Sequence, residues 1–237
     1  MNAFELRPQG FLRLAGLAYL ANIALGLFGE VFVRGTLVVA GDGAATAAHI
    51  AQAPGLWRLG LMGDLLMQLL DVPLIVLFYL LLRPVSRPLA LTATVFNIVQ
   101  TAVLAANKLA MLAPLLLLTA PEAQGATWLG PMTAFWLRLH SHGFGIGLLF
   151  FGFCCLLRGW LIARSTYLPR LLGGLLAVAG ACYVLNSVAL LLEPRVAALL
   201  FPWVLVPAFL GELALSLWLL LRGVDARAWQ ARLAGAV

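Results

Sequence analysis

Six stretches of this chain are each long and apolar enough to cross the hydrocarbon core of a bilayer, and that pattern leaves few folds open. A helix needs about 20 mainly apolar residues for the crossing. Residues of about 12–33, 59–82, 89–113, 140–162, 171–192 and 199–221 meet that requirement. Inside lipid each backbone N–H and C=O must find its partner within the protein, so isolated runs of this kind fold as helices. The expected fold is all-α: a polytopic membrane protein of six transmembrane helices forming one domain over residues 1–237. Composition agrees, since 63% of the 237 residues are hydrophobic and 10% charged, against about 45–50% apolar and about a quarter charged in soluble domains. A large soluble catalytic domain, a disordered chain and a small disulfide scaffold are excluded.

Two short arginine and proline turns, RPVSRP (83–88) and RSTYLPR (164–170), join spans 2 to 3 and 4 to 5 as antiparallel hairpins. Counting arginines on alternate sides of the bilayer gives a strong bias. Arg7, Arg13, Arg83, Arg87, Arg158, Arg164, Arg170, Arg222, Arg227 and Arg232 fall on one side, and Arg34, Arg58, Arg138 and Arg195 on the other. The positive-inside rule then places both termini in the cytoplasm. The N-terminal segment carries Glu5 and runs into the first span without a small-residue cleavage site, so that span is expected to be retained. Because the cations are dispersed, the net charge of +6 encodes topology and implies no nucleic-acid partner; the partner is the bilayer. The first outer loop reads as a short amphipathic, alanine-rich helix capped by Asp42 and ending at Pro54-Gly55, with Trp57 at headgroup depth. The C-terminal segment with Trp229 reads as an interfacial anchor. Cys154, Cys155 and Cys182 lie in apolar runs without metal-type spacing and are expected as buried free thiols.

Ionisable groups inside a span are expensive and mark candidate sites. Asp64, Gln68 and Asp71 are spaced i, i+4, i+7 on one face of span 2, and Asn97, Gln100, Asn107 and Lys108 lie in span 3. At a rise of about 1.5 Å per residue, Asp64 stands roughly 8 Å and Asp71 roughly 18 Å in from the outer surface. Glu212 falls near the middle of span 6. Glu30 closes span 1 on the outer side, and His140 and His142 open span 4 there. These positions describe a polar cavity in the outer half of the bundle with its floor at Asp71 and Glu212. Lys108 cannot neutralise every acid, so at least one of Asp71 and Glu212 is expected to be protonated or otherwise paired.

The segment RLHSHGFGIG (138–147) sets two histidines beside small residues. Histidines two apart on a helix face different ways, so His140, His142, His49 and Asp64 would form a zinc site only if the helix were broken there. Gly143 and Gly147, four apart, read as a close helix contact. Nucleophile-elbow, P-loop and HExxH patterns are absent, and no cofactor is implied.

The segments GEVFVRGTLVVAGDGAATAAHI (29–50), LWRLGLMGDLLMQLLDVPLIVLFYLLLRPV (56–85), LHSHGFGIGLLFFGFCCLLRGWLIARSTYLPRLLG (139–173) and GELALSLWLLLRGV (211–224) together resemble the bacterial multi-pass membrane proteins catalogued as domain of unknown function 4386. The resemblance runs from about Arg13 to Trp229. It implies a six-helix fold and no particular reaction, and it places the family's polar marks on Glu30, Arg34, Asp42, Arg58, Asp64, Asp71, Asn107, His140 and Glu212. His49 and His142 look particular to this chain.

Three functions remain open on sequence. One is the binding or transport of a small molecule, proton or cation, with Asp71 and Glu212 exchanging a proton or holding a cation, Asp64 and His140 lining the mouth and Asn107 positioning the ligand, and with Glu30 a further candidate. The second is an intramembrane lipid-modifying enzyme, metal-dependent or using Asp64 and His140 as an acid-base pair. The third is a structural or sensory module whose polar groups only bind helices together.

Overall fold

The computed structural model describes residues 8–123 and 125–234. Glu5 and Arg7, invoked above for the first span and the orientation, lie outside the described residues. All regular structure among the described residues is helical. Five helices are long and apolar enough to span a membrane: α1 (Pro8–Leu37), α3 (Pro54–Leu82), α4 (Arg87–Thr119), α5 (Leu129–Arg164) and α6 (Arg170–Leu192). Where the sixth span is expected the structure has a bent pair of helices, a broken span or a re-entrant loop. The pair consists of α7 (Pro194–Leu200) and α8 (Leu205–Leu221), bent by 55°. Pro202 and Pro207 sit in and just after the break, where missing N–H groups weaken a continuous ladder. The short helix α2 (Gly43–Gln52) occupies the first long loop, and α9 (Ala226–Ala234) follows α8. The surface left uncovered is apolar, as a lipid-facing one must be: Leu199, for instance, is 81% exposed.

The chain divides into two compact units. One, the terminal unit, comprises Met1–Ala21, Leu70–Thr101 and Gly145–Val237; the other, the loop unit, comprises Asn22–Leu69 and Ala102–Phe144.

In the loop unit, Asp42 caps α2 as its sequence position suggests, its carboxylate accepting from the Ala45 amide at 2.8 Å. The Thr46 hydroxyl accepts from the Val39 amide at 2.9 Å, tying the helix to the end of α1. Trp57 is covered by protein and not set free at a surface. It is fully buried, among Val33, Leu37, Ile50, Leu61, Met111 and Leu115, and its indole N–H donates to the Met111 carbonyl at 2.9 Å. Burial with a partner for the N–H satisfies both halves of an amphipathic ring, which the interface would otherwise do.

In the terminal unit, α5 and α6 approach at glycines. A side chain at Gly159 would meet the Gly173 carbonyl at 2.6 Å, and one at Gly152 would meet that of Gly180 at 2.8 Å. Van der Waals packing is the main attraction between helices in lipid, and small residues admit it. Trp229 on α9 is also fully buried, so α9 is held by the protein itself and not anchored by its tryptophan in headgroups. Asp225 caps α9 through the Arg227 and Ala228 amides, and its own amide donates to the Tyr167 carbonyl at 3.1 Å. Cys154 and Cys155 are buried free thiols; Cys182 is only half-buried.

Candidate functional site

The loop unit gathers charge around Asp64. Residues Phe28–Arg34 of α1 are wound as a π-helix, a local widening that turns the following residues to a new face and often marks functional positions. Arg34 thereby reaches inward. Its Nη1 lies 2.8 Å from Asp64 Oδ2, and its Nε lies 2.7 Å from Glu30 Oε2 one turn earlier. Lys108 of α4 closes on the same Asp64 oxygen at 2.9 Å. Two cations therefore share one carboxylate oxygen inside apolar helices. Asp64 and Lys108 are almost fully covered, at 3% and 6% side-chain exposure, whereas Glu30 is 59% exposed. Gly29 makes room: a side chain there would come within 2.8 Å of Asp64 Oδ1 and 3.1 Å of Arg34 Nη2.

A second polar pair lies in the same unit. The Asn107 amide nitrogen donates to the His140 carbonyl at 2.9 Å and stands 3.0 Å from His140 Nδ1. Nδ1 also stands 3.5 Å from the Asn107 carbonyl oxygen, so whether it accepts or donates follows from the ring's tautomer. Gly143 lies directly against the Asn107 side chain, which a Cβ there would strike. The close contact expected of Gly143 is thus with a polar side chain. Lys108 Nζ is 6.0 Å from the centre of the Phe144 ring.

The four-residue zinc alternative is not realised. Helix α5 runs unbroken through His140 and His142, so the two rings leave on different faces. His142 Nδ1 turns back to the Arg138 carbonyl at 2.8 Å, and among the described residues no three of His, Cys, Asp and Glu are grouped to hold a metal. A cleft of about 410 Å³ lies in this unit beside α2, lined by Ala44, Ala47, Ala51, Leu118, Gly130 and Pro131 among others. Its walls are apolar, and none of the candidate polar residues lines it.

The terminal unit holds the other two candidates. Glu212 is buried in mid-α8, and both its oxygens are occupied: Tyr19 donates to Oε2 at 2.9 Å and Tyr183 to Oε1. Asp71 accepts from the Thr101 hydroxyl at 3.3 Å, beside a buried Asn97 and Gln100 pair joined at 2.6 Å. Glu30, Asp64, Asn107 and His140 are thus assembled in the loop unit, and Asp71 and Glu212 in the terminal unit, each with partners of its own.

Two arginines counted above for topology prove to be interior groups. Arg34 belongs to the charge cluster, and the signal for it was Glu30 four residues earlier on the same helix. Arg158 is buried in α5 with its guanidinium 4.4 Å from the Phe78 ring centre; Phe78 in turn meets Tyr19 edge-on at 6.1 Å. Its place six residues inside Arg164, within an apolar run, was the available sign.

No solved structure matches this chain. An uncharacterised protein of Archaeoglobus fulgidus is 26% identical over 163 residues, 69% of this chain and 83% of that protein. The pattern described as Domain of unknown function (DUF4386) matches residues 14–223. Covering both polar clusters and all but the first residues of the long apolar helices, that match shows that the chain belongs to the DUF4386 family.

Proposed function

We propose that this protein binds a small polar or ionic solute within the membrane, for transport or sensing, and that the Asp64 cluster of the loop unit is the site. The observation that carries the reading is the sharing of Asp64 Oδ2 between Arg34 and Lys108. Helix adhesion in lipid is met by small residues and single hydrogen bonds. A buried and a largely covered cation on one buried acid exceed that need, and intramembrane ionisable groups are functional by default. Asn107 and His140 supply polar contacts on the same unit, with Glu30 at the exposed edge. The reading places the protein in the cytoplasmic membrane with both termini inside, supported by the arginine bias, and takes the whole chain as one transmembrane domain.

The test is a thermal-unfolding screen of the purified full chain in a neutral detergent against a panel of ions and small polar solutes. At least one solute is expected to stabilise the native protein to an extent that folded Asp64→Asn alters. A panel in which no response depends on Asp64 counts against the site.

A second reading rests on Glu212. A buried carboxyl with a phenol hydroxyl on each oxygen suits the holding and release of a proton, and proteoliposomes carrying Glu212→Gln would then lose a proton flux that the native protein shows. The acid-base enzyme reading has less support, because Asp64 is engaged by Arg34 and Lys108 and His140 by Asn107.

A further inference from the structure

Charge balance at the Asp64 cluster identifies the class of ligand. The well-covered groups number two cations, Arg34 and Lys108, against one anion, Asp64. That leaves one positive charge inside apolar helices, and such a charge requires a counter-ion. Glu30 supplies it. Yet Glu30 is the most exposed member, at 59%, while the Arg34 side chain that it meets is only 15% exposed. Its carboxylate takes the guanidinium edge through Nε alone, and Arg34 Nη1 is given to Asp64. A single-point contact from an exposed side chain is weaker than the paired, two-point contact a free oxyanion makes with a guanidinium.

We propose that Glu30 is an internal stand-in for an oxyanion ligand, a phosphate or carboxylate group of a net-anionic molecule, which displaces it from Arg34 and is neutralised by the residual charge of the Arg34, Lys108 and Asp64 set. This rests on the preceding assignment of the site and adds the chemistry of its occupant. Displacement needs little: Glu30 already lies at the exposed edge of α1, seven residues and roughly 10 Å along the axis from the helix end, and its withdrawal uncovers the outer edge of the guanidinium. Asp64 cannot be displaced in the same way, being covered on all sides and held by two cations. Phosphate could reach the site free or as a phospholipid headgroup.

The experiment uses the full chain in neutral detergent and reads the unfolding temperature at constant ionic strength. The probes are inorganic phosphate and a short-chain phosphatidylglycerol, with chloride as control. Saturable stabilisation by phosphate alone supports a soluble source; by phosphatidylglycerol alone, a lipid source; by both, an oxyanion site open to either. Glu30→Gln is expected to lower the half-saturating concentration by about threefold to tenfold, because the competitor is gone, and Lys108→Gln to abolish the response. Should Glu30→Gln not fold, Glu30→Asp, whose carboxylate is one methylene short of Arg34, is expected to show the same tightening. Failure of both probes to exceed chloride overturns the proposal, as does an unchanged half-saturation in the Glu30 variants. If that failure accompanies Asp64-dependent stabilisation by a cation or neutral solute, only the ligand class falls; without any Asp64-dependent solute, the site itself falls with it.

Discussion

Replacing Asp64 by asparagine tests whether the charge cluster is a coupled unit. The substitution keeps the shape and removes the one carboxylate that Arg34 and Lys108 share at 2.8 and 2.9 Å. Arg34 retains Glu30, but Lys108, at 6% exposure, has no other acid within ion-pair distance among the described residues. Stranding a buried charge in this way costs about 3–5 kcal/mol, and the weak coupling found between polar groups in membrane bundles argues for the lower end. Lys108→Met is milder. It removes the cation and leaves Asp64 with Arg34, so the loss is one charge-assisted contact, about 1.5–3 kcal/mol. The double variant Asp64→Asn with Lys108→Met leaves no stranded ammonium, and it should be at least as stable as Asp64→Asn alone despite carrying two changes. The four proteins are compared by unfolding in mixed maltoside and dodecyl sulfate micelles, followed by circular dichroism. The reasoning is refuted if the two single losses simply add in the double variant, or if Lys108→Met is the more damaging single change.

Two further outcomes follow from groups outside the cluster. Trp57→Phe keeps the apolar contacts of a fully buried ring but leaves the Met111 carbonyl without the 2.9 Å indole donor, so the same micellar unfolding should show a loss of about 1–3 kcal/mol. Tyr167, in the turn between α5 and α6, is buried with its hydroxyl donating to the Leu81 carbonyl at 2.6 Å. Burial holds the phenol protonated above its ordinary range. With the folded value raised above the unfolded one, its contribution is full below about pH 10 and declines as the pH rises beyond the ordinary tyrosine range. Tyr167→Phe should therefore be less stable at neutral pH and lose less stability than the native protein between pH 10 and 12, measured by the same unfolding assay.

The helices were legible because lipid leaves the backbone no alternative: the first five apolar runs each correspond to one long helix, and the sixth to a pair bent by 55°. Asp64, Asp71 and Glu212 were legible as interior groups because no carboxylate is at ease in lipid. What their spacing could not reveal was the partner. Lys108 and Asp64 are 44 residues apart, and Arg34 meets Asp64 from the end of a π-helical stretch of α1, a feature without a sequence signature. The arginines misled for a related reason. Counted by position alone, Arg34 and Arg158 look like their neighbours at span ends, whereas the structure buries Arg158 against Phe78 and turns Arg34 inward.

The adjacent glycines 173 and 174 show most sharply where sequence stops and packing begins. Both occupy α6, and helix propensity gives the same expectation for each: alanine should stabilise by about 1 kcal/mol. At Gly174 nothing lies within 4 Å of an added Cβ, so that expectation stands. At Gly173 the Cβ would lie 2.5 Å from the Gly159 carbonyl oxygen and 2.6 Å from the Ala163 amide nitrogen of α5. Backbone atoms cannot swing aside as a side-chain tip does, so the two helices must separate, and overpacking of this kind costs about 1–3 kcal/mol. After the propensity gain is subtracted, Gly173→Ala should still be destabilised or at best neutral while Gly174→Ala is stabilised. The gap between two neighbouring, chemically identical changes should be about 1–3 kcal/mol in micellar unfolding. Equal shifts in the two variants would mean that α5 and α6 are not in backbone contact at this level, and the glycine seam of the terminal unit would have to be abandoned.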